Sequence, residues 1–118
     1  MTSSQEPKPQ SDPAHFFSID IRVGRVVSVE PFPEARRPAC KLRVDFGPSV
    51  GELSTSAQVT DYPADELKDR LVVGAVNLGR KRIAGFASEF LLLGSYDKDG
   101  KVLLLSPDAG AGPGDVVG

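Results

Sequence analysis

The amino-acid sequence predicts a small all-β barrel, and three observations carry that expectation. The 118-residue chain holds 12 Gly and 10 Pro, well above the ~12% that the two average together, so turns are many and elements short. Apolar residues recur at period two in several segments and at a helical period in only one. A chain of this length has room for one domain, and a small sheet disposes of its exposed edges by closing on itself.

The elements follow from the local pattern. Residues 1–13 carry Pro7, Pro9 and Pro13 and no large apolar side chain after Met1. They are expected as a disordered tail, because they cannot bury enough surface to offset their ordering entropy. The domain is expected over residues 14–118. It opens with Phe16, Phe17, Ile19 and Ile21, where Pro13 can start one helical turn. From Ile21 the period becomes two, placing Ile21, Val23, Val27 and Val29 on one strand face and Arg22, Gly24, Ser28 and Glu30 on the other. The prolines of 31-PFPEARRP-38 end that strand. Cys40, Leu42, Val44 and Phe46 then alternate with Lys41, Arg43 and Asp45, the pattern of a half-buried antiparallel strand. Gly47, Pro48 and Gly51 turn the chain into a more polar third strand, 52-ELSTSAQV-59.

Residues 62–71 (YPADELKDRL) predict the one clear helix, about two turns long. Pro63 stands where a missing N–H costs nothing, Asp65 and Glu66 fill the first turn, and Leu67 and Leu71 are spaced i,i+4. The run 71–78 is nearly all apolar and reads as a buried strand. A basic, Gly-bounded segment, 79–88, leads to a further strand at 89–96; 97-DKDG-100 is a turn, and 101–105 is the last strand. Residues 107–118 are rich in Gly and Pro and end near Val116 and Val117. Five or six short strands with one helix between the third and fourth suit a five-stranded Greek-key barrel of the OB type, with Gly24, Gly74 and Gly94 serving its tight bends.

Composition narrows the function. A net charge of −2 provides no global basic field to attract nucleic acid. One cysteine, Cys40, cannot build a disulfide framework or a multi-cysteine metal site, and it fits a reducing compartment. No apolar run reaches signal-peptide or membrane-spanning length, so a soluble, cytoplasmic protein without membrane insertion is expected. The only histidine, His15, lies at the edge of the tail, which leaves any nucleophile without a well-held base. Cys40 alternates with core residues and reads as a small buried hydrophobe. No Gly-rich phosphate loop stands between a strand and a helix. The chain is therefore expected to be no enzyme and to need neither metal nor cofactor.

Charge is local instead. Residues 22–43 hold Arg22, Arg25, Arg36, Arg37, Lys41 and Arg43 against Glu30 and Glu34, and residues 80–82 add Arg80, Lys81 and Arg82. On a barrel these stretches can form one basic groove, the footprint of phosphate contact. With no Trp and only two Tyr, stacking platforms for unpaired bases are few, so recognition of shape and backbone is the expected mode for RNA.

Three segments together carry a family resemblance: 16-FFSIDIRVGRVVSVEPFPEARRPACKLRVDFG-47, 54-STSAQVT-60 and 72-VVGAVNLGRKRIAGFASEFLLLG-94. They resemble the tRNA-binding domain family of OB folds, and within it most nearly the export-related chaperones of the CsaA type. The likeness spans roughly residues 16–118 and departs from the pattern at Gly79 and Lys81. It implies a dimer of OB barrels with a binding surface across both subunits. The matching site positions are Ser56, Ala57, Gln58, Asn77, Arg80, Arg82, Ile83, Ala84, Gly85, Ser88 and Glu89, with Lys81 and Phe86 in the same stretch. The ligand it implies is unfolded or pre-secretory polypeptide, with the secretion machinery as a partner; the alternative is structure-specific tRNA binding in the same groove. Among these residues Glu89 is expected to pair with Arg80 or Arg82, and Gly85 to meet a backbone requirement. Phe16, Phe17 and Ile19 before the first strand, with Val116 and Val117 after the last, are expected at a homodimer interface.

Overall fold

In the computed structural model, which describes residues 6–118, the strands pair antiparallel into a nearly closed barrel-like sheet. A single helical turn, α1 (Pro13–Phe17), is capped by Asp12, whose side chain accepts from the Ala14 N–H at 2.9 Å. There follow β1 (Ile21–Pro31), β2 (Cys40–Asp45), β3 (Glu52–Ala57), the short α2 (Ala64–Leu67), β4 (Leu71–Ala75), β5 (Lys81–Ile83), β6 (Phe86–Ser88), β7 (Leu91–Leu92), β8 (Gly94–Tyr96), β9 (Val102–Leu104) and β10 (Val116–Val117). The main sheet runs β3-β2-β1-β4-β7, and β10 takes the length of β1 ahead of β2. β5–β6 and β8–β9 are separate hairpins. The Glu89 N–H donates to the Ser54 carbonyl at 2.7 Å, drawing the far end of the sheet back onto β3. This all-β architecture with few short helices is consistent with the OB fold that the sequence predicts. No helix among the described residues is long and apolar enough to cross a membrane. Of the expected tail, residues 1–5 lie outside the described residues; residues 6–12 are exposed and form no helix or strand.

β2 alternates as expected: Leu42, Val44 and Phe46 are fully buried and Cys40 packs against them. β1 does not. Val26 pairs with Val44 but Ser28 pairs with Arg43, so Val27 is an extra residue in a β-bulge. The bulge flips the inward face, and Val26 rather than Val27 enters the core, with Val29 beside it. Of the expected face of Ile21, Val23, Val27 and Val29, only Val29 packs on the core cluster, with Val26; Val23 is buried outside that cluster.

The expected two-turn helix is one turn. Its end is overruled by pairing with β1, since the Asp69 N–H donates to the Val26 carbonyl at 2.8 Å and the Val26 N–H to the Arg70 carbonyl at 3.0 Å. Asp69 reaches that position with φ of 67°. The strand expected over 71–78 ends at Ala75, and that over 89–96 breaks at Leu93. There the Leu93 N–H donates to Val73 while its carbonyl accepts from Leu105, turning the chain from one neighbour to another.

The core gathers Val26, Leu42, Val44, Phe46, Val59, Leu67, Val72, Phe90 and Leu104. The Phe46 ring meets Phe90 edge-on at 4.8 Å between centroids. It fits because β1 and β4 present no side chain there. A Cβ on Gly24 would lie 2.5 Å from Val44 Cγ1 and 2.8 Å from the Phe46 ring, and one on Gly74 would lie 2.8 Å from Phe90. These glycines serve close approach of aromatic rings rather than bends of the strand. Gly74→Ala is expected to lower stability in urea unfolding by about 1–3 kcal/mol through overpacking. Gly112→Ala, where a Cβ meets nothing within 4 Å, should change it by no more than about 0.5 kcal/mol.

Candidate functional site

Three elements converge on one open groove of about 690 Å³: the loop after β1, the end of β3 and the β5–β6 hairpin. It is lined by Ala35, Arg36, Arg37, Ala39, Ser56, Ala57, Gln58, Ile83 and Ala84. On β3, Leu53, Thr55 and Ala57 face the barrel interior, which turns Ser54, Ser56 and Gln58 outward. The hairpin is tight, with Ile83 paired to Phe86 across Ala84 and Gly85. Both turn residues have positive φ, 48° and 79°, as a two-residue turn with the strand's own twist requires. That is the backbone requirement expected of Gly85. Arg82 stays exposed and donates to the Gly85 carbonyl at 2.9 Å, bracing the turn.

The expected site residues separate by location. Ser56, Ala57, Gln58, Ile83 and Ala84 line the groove, and Lys81, Arg82, Gly85 and Phe86 belong to the hairpin that forms its wall. Asn77 lies elsewhere, its amide donating to the Ser18 carbonyl at 2.9 Å and its Oδ1 accepting from the Asp20 N–H at 2.8 Å. It fastens the segment between α1 and β1. Ser88 and Glu89 sit at the barrel seam. Ser88 Oγ is 2.9 Å from the hydroxyl of buried Thr55, which also donates to the Phe90 carbonyl at 2.9 Å. Glu89 accepts from the Ser54 N–H at 2.9 Å and, as the sequence suggests, from Arg80 at 3.2 Å.

Ala35 and Ala39 stand outside the expected site positions, and Arg36 and Arg37 enter the expectation only as part of the basic groove. Their only signal in the sequence is the basic run after Pro33, since a loop of this kind has no period. Arg36 and Arg37 are exposed and form no ion pair among the described residues. Behind the groove Phe32 is buried and meets Phe86 at 5.5 Å between centroids, with the Lys41 ammonium 4.8 Å and 5.2 Å from the two rings. Burial pushes the Cys40 thiol up, so it remains a thiol at neutral pH. Among the described residues no three His, Cys, Asp or Glu side chains gather as a metal site.

A second, shallower depression of about 270 Å³ brings Phe16, Phe17, Ile19, Ile21, Val116 and Val117 together. Phe17 is 73% exposed and Val116 70%. The pairing of Val117 with Ile21 and Val116 with Arg22 is what joins the two ends of the chain there.

Comparison with known proteins finds relatives over most of the chain. Residues 21–116 match the tRNA binding domain family. The CsaA chaperone protein of Picrophilus torridus superimposes with a TM-score of 0.87 at 44% identity, over 92% of this chain and 100% of that one. The CsaA chaperone of Bacillus anthracis does so at 0.87 and 38%, over 93% and 100%. The methionine–tRNA ligase of Archaeoglobus fulgidus is 34% identical over 99 residues, which are 84% of this chain but only 15% of the ligase.

The seam assigns a structural role to Glu89. Glu89→Ala strands the Ser54 N–H and is expected to cost about 1–3 kcal/mol in urea unfolding. Arg80→Ala, whose side chain is 63% exposed, should cost less than about 1 kcal/mol.

Proposed function

The chain belongs to the tRNA binding domain family, and on that premise we propose that it is a non-enzymatic chaperone of the CsaA kind. In this reading it holds unfolded or export-bound polypeptide in the groove and assists protein secretion from the cytoplasm, in contact with the secretion machinery. The observation that carries the reading is the composition of the groove. Apolar Ala35, Ala39 and Ile83 lie beside the amide of Gln58, the hydroxyl of Ser56 and the cations Arg36 and Arg37. An extended peptide needs backbone partners and side-chain pockets together, whereas phosphate contact alone has no use for the apolar members. Ile83 is half-buried and stands outside the barrel core, so its exposed part is free to serve a ligand.

A second reading, structure-specific tRNA binding by the same surface, is favoured by Arg36, Arg37 and Arg82, which are exposed and bear no carboxylate partner among the described residues. Both readings use a homodimer, for which the exposed Phe16, Phe17, Val116 and Val117 with half-buried Ile19 are the proposed contact. The domain itself is taken as residues 14–118.

Titration with a permanently unfolded polypeptide and with tRNA, each across a salt series, tests the groove. Ile83→Ser is expected to weaken polypeptide binding with little change in melting temperature. Arg36→Ala with Arg37→Ala should weaken tRNA binding and flatten its log–log salt dependence by up to about 0.9 per lost phosphate contact. Polypeptide that binds equally well to Ile83→Ser and does not compete with tRNA overturns the shared groove.

The dimer is tested by light scattering. The parent chain is expected at twice its chain mass at micromolar concentration, and Phe17→Glu with Val116→Glu at the mass of one chain. A monomeric parent refutes the interface.

A further inference from the structure

We infer that Lys41 is a positioning residue of the groove: its ammonium clamps Phe32 and Phe86 and so fixes the distance between the groove's two walls. The inference rests on the proposed reading of the groove as the ligand site and deepens it. Lys41 faces outward on β2, where it pairs with Ser56 of the groove floor. Its ammonium stands 4.8 Å from the Phe32 centroid and 5.2 Å from that of Phe86, within the range of cation–π attraction. It forms no ion pair among the described residues. The rings themselves meet at 5.5 Å and an interplanar angle of 62°.

Each ring belongs to a different wall. The Phe32 N–H donates to the Ala39 carbonyl at 3.2 Å and its carbonyl accepts from the Ala35 N–H at 3.2 Å, so Phe32 closes the loop that carries Arg36 and Arg37. Phe86 is the first residue after the Ala84–Gly85 turn and pairs with Ile83. Neither ring belongs to the barrel core. The two aromatic rings and the lysine stem thus form a small satellite cluster on the outer face of β2. A cation on a flexible stem holds both rings without filling the groove, since Lys41 is not among the residues that line it.

Lys41→Met keeps the stem and removes the charge, and Lys41→Arg keeps the charge over the rings. Hydrogen exchange on the intact protein is expected to quicken in Lys41→Met at residues 32–39 and 81–88 together, and to stay near the parent in Lys41→Arg. In the tRNA salt series Lys41→Met should lose about fivefold in affinity, the scale of one cation–π contact, with the slope unchanged. Phe86→Leu should repeat both effects and combine with Lys41→Met less than additively, because both changes remove the Lys41–Phe86 contact. Exchange that is unchanged in both segments overturns the clamp. So does a slope that falls by about 0.9, because Lys41 then touches phosphate itself. If the parent protein binds neither tRNA nor unfolded polypeptide, the functional reading fails, and the exchange measurement still decides the clamp.

Discussion

The structure depends on one aromatic ring placed where two strands carry no side chain. Phe46 occupies the space above Gly24, and over Gly74 its ring meets that of Phe90 edge-on. With a Cβ at either glycine the ring must move, and with it the corner that follows. Gly47 next to it has φ of +87°, and a Cβ there would lie 2.9 Å from the Pro113 carbonyl. The C-terminal segment crosses at this corner, where the Gly114 N–H donates to Val23 at 2.8 Å. That crossing directs β10 onto β1 and sets Val116 and Val117 beside the N-terminal phenylalanines. The core ring, the corner after it and the exposed apolar patch are thus consecutive neighbours.

The seam of the barrel couples the core to the groove in the same way. Thr55 is the one buried polar residue among those described, and its hydroxyl is satisfied by Ser88 and the Phe90 carbonyl. Leaving that hydroxyl without partners would cost about 1–3 kcal/mol, so the positions of residues 88–90 against β3 are strongly specified. The hairpin projects from this fixed point. Its own bracing is local, through the Arg82 bond to Gly85, and among the described residues its aromatic partner is Phe32, with the Lys41 ammonium near both rings. The polar residues of the 77–89 stretch thus divide between fastening the scaffold and facing outward.

Where pairing is local the fold was legible from residue pattern. The alternation through Leu42, Val44 and Phe46, the turn at 97-DKDG-100 and the positive φ at Gly85 are each dictated within a few residues. The bulge at Val27 was not, because two adjacent valines read the same whichever of Val26 and Val27 is the extra one; the partner strand decides. Likewise Lys68 and Asp69 suit a helix, and leave it only because Val26 offers both a donor and an acceptor there. At the site, the hairpin and the β3 residues were marked by family resemblance, and Asn77 travelled with them although its amide serves Ser18 and Asp20. The 33–39 wall was missed as a wall. Its charges were visible, but a loop closed by Phe32 and Ala39 has no period from which its position could be read.

Charge counting along the groove bears on which ligand a single chain can hold. Arg80 is engaged by Glu89, and Glu34 is exposed in the same loop as Arg36 and Arg37. The cations left for a ligand at this surface are few, and the whole chain carries −2. A backbone-binding surface with about six to ten phosphate contacts needs more cations than one groove of this kind offers. Beyond about 10 Å at 0.1 M salt, other cations on the barrel contribute little. An extended peptide makes no such demand, because apolar burial and backbone hydrogen bonds supply its affinity within one groove. In the proposed homodimer the peptide reading thus draws on one groove at a time, whereas backbone contacts on that scale draw on both grooves together. The apolar patch at Phe16, Phe17 and Val116 thus bears more heavily on the RNA reading than on the peptide one.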